Sequence, residues 1–142
     1  MTKRILVIDD SQEILDVLED LLTEAGYRAI LHESCLQDLD AVKRARPDLI
    51  ISDYGDYVPA KATHCWQFLE KLKRDGETAP IPLIICTTSS TLAQDHAGWL
   101  RANDVQVVAK PFDVDAVLQA VARQLGRAET DPVAPDVEAS GV

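Results

Sequence analysis

Pro47-Asp-Leu-Ile-Ile-Ser-Asp53 holds a helix-breaking proline, a short run dominated by apolar residues and a terminal aspartate. Such a run reads as a strand covered on both faces, the habit of parallel sheets. Working outward, the same form recurs. Ile5-Leu-Val-Ile runs into Asp9-Asp10, Ile81 to Cys86 runs into Thr87-Thr88, and Val105 to Ala109 runs into Lys110-Pro111. Residues 27–31 make a further strand. Between these runs the apolar spacing turns helical. In residues 11–25 it is carried by Ile14, Leu18, Leu21, Leu22 and Ala25, with Gly26 as the stop. Ser34-Cys-Leu-Gln37 has the form of a capping box opening a helix to about residue 45. A third helix is expected over 64–74 after an irregular stretch, 54–63. A fourth is expected over 91–102, opened by a second box at Thr91-Leu-Ala-Gln94, and a last one over 114–125. Five strand–helix units in strict alternation predict an α/β fold, a doubly wound five-stranded parallel sheet with helices on both faces.

The chain has 142 residues, 46% of them hydrophobic, enough for one domain with a real core. Residues 1–126 are assigned to that domain. Residues 127–142, with two prolines, four acids, one base and no apolar period, read as a flexible acidic tail. The net charge of -10 gives no general attraction to nucleic acid or anionic lipid. The basic stretches Lys43-Arg44-Ala-Arg46 and Lys71-Leu-Lys73-Arg74 read as solvated helix faces. No apolar run reaches signal-peptide or membrane-spanning length. Neither nucleic acid nor membrane is therefore expected as a partner. Cys35, Cys65 and Cys86 are far apart and odd in number, which predicts no disulfide framework, no zinc site and a reducing, cytoplasmic setting.

Ligands of an open parallel sheet bind beyond the carboxyl ends of its strands, where strand order reverses. The residues that end these strands are Asp9 and Asp10, Asp53, Thr87 and Thr88, and Lys110. Each alone has a plain structural reading. An Asp-Asp pair before a helix is a cap with dipole-favoured charge, and a lone aspartate after a strand is a turn residue. Together they are three carboxylates, a hydroxyl and an ammonium at one edge. Three carboxylates repel, and one would tend to stay protonated unless a cation joins them. Mg²⁺, or Mn²⁺, suits such an oxygen set. An ionised aspartate beside the metal can act as a nucleophile toward phosphorus, with the ammonium on the transferred oxygens.

These four segments, Ile5-Leu-Val-Ile-Asp9-Asp10, Pro47-Asp-Leu-Ile-Ile-Ser-Asp53, Pro82-Leu-Ile-Ile-Cys-Thr87 and Val108-Ala-Lys110-Pro111-Phe112, resemble the signature segments of response-regulator receiver domains, over residues 3 to about 125. The resemblance implies a flavodoxin-like sheet of order 2-1-3-4-5, a chemotaxis-regulator-like receiver standing alone, and phosphorylation on Asp53. It makes Asp10 the direct ligand of Mg²⁺ or Mn²⁺, Asp9 a ligand through water and Gly55 a backbone-carbonyl ligand. Thr87 becomes the hydroxyl that meets the phosphoryl group, Thr88 a backbone N–H contact to it, and Lys110 the phosphate-binding lysine. The donor would be a histidine kinase or histidine phosphotransfer protein. The output would be binding of a downstream protein by a monomer or weak homodimer, with no turnover on outside substrates. Lys110, read as a partly solvated charge at a strand end, is expected to matter little for stability.

The sequence also departs from the family pattern. Pro59 stands six residues after Asp53, where the family has proline at four, and no glycine follows at the usual spacing. That makes the loop about four residues longer, by counting against the pattern. Val107 stands where an aromatic switch residue is usual. These departures support a second reading, a degenerate receiver acting as a phosphorylation-independent interaction module, against which stands the complete set of Asp9, Asp10, Asp53, Thr87 and Lys110. A third, a small aspartyl phosphohydrolase, lacks a visible acid or base and a substrate-covering domain. His64-Cys65 shows no third partner for metal binding or nucleophilic catalysis. Trp66 and Trp99 read as packing, Cys86 as small core, and His32 and His96 have no visible role.

Overall fold

In the computed structural model of the protein the described residues are 2–33, 39–54, 59–88, 91–110 and 113–130, with 59–64 and 127–130 described as backbone alone. Five strands, β1 (Arg4–Ile8), β2 (Arg28–His32), β3 (Leu49–Tyr54), β4 (Leu83–Thr87) and β5 (Gln106–Ala109), form one sheet of order β2-β1-β3-β4-β5. Every neighbouring pair is parallel. The expected doubly wound α/β architecture is therefore present, with its order reversing between β1 and β3.

Six helical segments are present among the described residues, five between strands and one after β5: α1 (Gln12–Glu24), α2 (Leu39–Ala45), α3 (Pro59–Arg74), α4 (Leu92–Asp95), α5 (Ala97–Ala102) and α6 (Val114–Thr130). Strand side chains alternate between two cores, as the pleat requires. Ile5, Val7, Leu49, Ile51, Ile84, Cys86 and Val108 face α1 and α6, where Leu15, Leu18, Leu22, Val117 and Val121 meet them. Leu6, Ile8, Ile50, Leu83 and Ile85 face the opposite layer, against Val42, Phe68, Leu69, Leu72, Leu92 and Leu100. Leu18 is essentially inaccessible, so Leu18→Ala would cost about 3 kcal/mol in lost transfer and cavity energy.

Local signals explain α1 at both ends. The Ser11 hydroxyl accepts from the Ile14 N–H at 3.3 Å, and Gly26 turns the chain at φ +96°. The N–H of Gly26 donates to the Thr23 carbonyl and that of Tyr27 to the Leu22 carbonyl, closing a Schellman motif. The capping box expected at Thr91 does not form. Its side chain makes no cap bond, and the single helix expected there is two short pieces broken at His96, whose φ, ψ of −121°, 24° are not helical. The box expected at Ser34–Gln37 lies outside the described residues. Helix α3 begins at Pro59, five residues before the expected start, with proline in the first-turn position it tolerates best. At the other end of the chain, α6 runs on to Thr130, so residues 127–130 of the expected tail are helical.

Candidate phosphoacceptor site

The carboxyl ends of β1 and β3 flank the point where strand order reverses, and each delivers a buried carboxylate. Asp9 is 2% exposed and Asp53 4% exposed. Local geometry aims Asp9. Its N–H donates to the His32 carbonyl at 3.1 Å, and its Oδ1 accepts from the Ser11 N–H at 2.9 Å. Oδ2 is left facing the site, where the Lys110 ammonium donates to it at 2.8 Å. The same ammonium donates to Asp53 Oδ1 at 2.7 Å. Lys110 is itself fixed at the end of β5, because its N–H donates to the Thr87 carbonyl at 2.8 Å.

The Lys110 side chain is only 9% exposed. This corrects the expectation of a partly solvated charge of little structural weight, because the two carboxylates draw the ammonium into the interior. Burial alone would lower its pKa, but hydrogen bonds and charge attraction from Asp53 and Asp9 outweigh it, and the pKa is raised above the ordinary lysine value.

Asp10 is exposed beside this pair. Carboxylate oxygens of Asp9, Asp10 and Asp53 lie within 4.8 Å of one another, the one group of three potential metal-ligating side chains among the described residues. The three carboxylates are an all-oxygen donor set that fits a hard divalent cation, and among the described residues Lys110 bridges two of them. Thr87, buried at the end of β4, donates its hydroxyl to the Tyr54 carbonyl at 3.1 Å. Thr88 follows, exposed. The candidate ligand Gly55 lies outside the described residues.

A profile of response-regulator receiver domains matches residues 5–122, spanning every one of these strand ends. The chain belongs to the response-regulator receiver family. This receiver is 26% identical over 128 residues to the polar-differentiation response regulator DivK of Brucella ovis, a match covering 90% of the chain and 100% of the relative. Its fold is shared by the chemotaxis protein CheY4 of Vibrio cholerae, with a TM-score of 0.71 and 23% identity over 87% of this chain and 99% of that one. It is shared equally by a CheY-like receiver of Methanospirillum hungatei, with a TM-score of 0.74 and 22% identity over 92% and 99%. The receiver thus belongs to the protein class that works in two-component signalling.

Several features of this receiver escaped sequence reasoning. Cys65 is buried and disulfide-bonded, against the expectation that the cysteines form no bridge. The count of three gave no pairing signal. Cys86 is a free thiol, the register partner of Asp53 on β4, and burial pushes its pKa up to about 12. Most conspicuous is a group of rings on the α3 side. Tyr54 meets Trp66 edge-on with centroids 6.0 Å apart, Trp66 stacks on His96 at 3.9 Å, and Trp66 also contacts Trp99 at 4.7 Å. Val107 packs into the same core layer and supplies no ring.

Proposed function

We propose that the protein is a phosphorylation switch in which Asp53 takes a phosphoryl group from a phosphohistidine of a histidine kinase or histidine phosphotransfer protein. The observation that carries this reading is the buried Asp53 carboxylate, held at one oxygen by Lys110, with Asp9 and Asp10 beside it. An oxygen of Asp53 attacks phosphorus. The P–N bond of the donor breaks, its electron pair passes to the ring nitrogen, and a ring already protonated at its other nitrogen leaves as neutral imidazole. The product is an acyl phosphate on Asp53.

Asp9, Asp10, Asp53 and the Gly55 carbonyl are the groups that would hold Mg²⁺ or Mn²⁺. Such an ion, when bound, offsets the repulsion among the carboxylates and the charge on the transferred oxygens. Lys110 is within reach to exchange a carboxylate partner for a phosphoryl oxygen as a point charge. The Thr87 hydroxyl and the Thr88 N–H are donors at the same edge. Water attack on the acyl phosphate would reset the switch, so the chemistry is confined to the protein itself. Its output is altered binding of a partner protein.

We place this activity in the cytoplasm, where phosphohistidine donors are made from a nucleoside triphosphate. A bonded Cys65 is out of keeping with a strongly reducing compartment, so its redox state in cells is the measurement that bears on this placement.

The test is intact mass after incubation with acetyl phosphate and Mg²⁺. A single phosphate-sized gain is expected, absent in Asp53→Asn and absent without divalent metal. A protein that takes up no phosphate under these conditions, yet still binds its partner, would be the phosphorylation-independent module instead.

A further inference from the structure

We propose that the ring cluster of Tyr54, Trp66, His96 and Trp99 carries the state of Asp53 to the surface between α3 and α5. This rests on Asp53 being the phosphoacceptor. Tyr54 follows Asp53 directly and is the register partner of Thr87 on β4. The two are joined by the hydrogen bond from the Thr87 hydroxyl to the Tyr54 carbonyl, 3.1 Å long. A hydroxyl has one proton to give. A phosphoryl group on Asp53 offers it a charged acceptor, which holds a donor more strongly than a neutral carbonyl does. Thr87 therefore has two alternative arrangements, and turning toward the phosphoryl group takes its proton from Tyr54. The switch has the required two states with different contacts in each.

The consequence passes outward through contacts already present. The Tyr54 backbone that yields the hydrogen bond bears the ring that meets Trp66 edge-on, at an interplanar angle of 88°. Trp66 is the hub, stacked on His96 at 27° and tilted on Trp99 at 56°. All four rings are half-buried, and Tyr54, Trp66 and Trp99 pack against the core layer, with His96 reached through its stack on Trp66. His96 sits where α4 breaks from α5, with non-helical backbone angles, a joint rather than a continuous helix. Tyr54 and Val107 lie in the same core layer, but Val107 is short and stiff at χ1, with no ring to swing. The aromatic mass that can respond to Thr87 comes from β3, α3 and α5, and from the joint between α4 and α5, instead of from β5.

Indole N–H signals in a ¹H–¹⁵N spectrum test this, with the phosphorylated fraction read by intact mass on the same sample. Trp99→Phe assigns the Trp66 signal, and Trp66→Phe assigns the Trp99 signal should the first variant not fold. On treatment with acetyl phosphate and Mg²⁺, the Trp66 signal is expected to shift in proportion to the phosphorylated fraction. In Thr87→Val the shift should be lost at equal phosphorylation, and in Thr87→Ser, which keeps the hydroxyl, it should return. A stationary Trp66 signal in phosphorylated protein overturns the relay while leaving the phosphoacceptor reading intact. So does an equal shift in phosphorylated Thr87→Val. A protein that gains no mass overturns both.

Discussion

Lys110→Met would remove the ammonium while keeping most of its apolar stem. Asp9 and Asp53, each at most 4% exposed, would then lose the ammonium they share, with Asp10 alongside. Breaking a buried ion pair from one side costs about 3–5 kcal/mol, because the remaining charge stays desolvated and unpaired. Two carboxylates lose the ammonium they share here, so a loss at the upper end of that range is expected in EDTA. With a urea slope of roughly 1–3 kcal/mol/M for a domain of this size, the unfolding midpoint should fall by about 2 M. A divalent cation replaces the missing charge. Mg²⁺ at about one hundred times its dissociation constant should restore about 2.7 kcal/mol. Asp53→Asn is the counterpart, since it removes one of the three clustered negative charges. It should be no less stable than the parent in EDTA. The assay is urea unfolding of the three proteins with EDTA and with Mg²⁺, accepting midpoints only where the slopes agree. A Lys110→Met midpoint within the equivalent of about 0.5 kcal/mol of the parent in EDTA would mean that Lys110 behaves as a surface charge, and the reasoning would fail.

Lys73 donates to the carbonyls of Ala79 and Ile81, and burial lowers its pKa to about 8 from 10.5. The unfolded chain holds the proton more tightly, so stability referenced to Lys73→Met should rise with pH between about 8 and 10.5; a falling difference in urea midpoints would contradict this. The raised pKa of Lys110 has the opposite sign. Its contribution is fully present below the ordinary 10.5 and is lost only as pH rises through the raised value, outside the Lys73 window. Cys86, free and pushed to about 12, should resist thiol reagents until urea unfolds the chain, and a fast reaction in native buffer would show the β4 end to be open. Leu18→Ala should lower stability by about 3 kcal/mol without changing the phosphate-sized mass gain, and loss of that gain in the folded variant would tie α1 packing to the site.

Strand-end chemistry was legible because β1, β3 and β4 are apolar runs whose last residues must emerge at one edge. The α1 boundaries were equally plain, since Ser11 and Gly26 act through neighbours in sequence. What escaped depends on distance or on competition. Thr91 has the spacing of a cap, but the chain breaks at His96 and its side chain makes no cap bond. Burial of Lys110 follows from carboxylates 57 and 101 residues away, which no local pattern reports. The ring cluster draws on β3, α3, α5 and the joint before it, so Trp66, His96 and Trp99 each looked like ordinary packing until the fold set them side by side.

The separation of 101 residues between Asp9 and Lys110 bears on how the molecule is made. Ribosomal synthesis delivers the acids first and the lysine last. Any assembly order in which β1 pairs with β3 before β5 docks brings Asp9 and Asp53 together before the ammonium they share arrives. Docking of β5 is the step that supplies it. On that order Lys110 works as a clasp, brought by the last strand to two acids already in place.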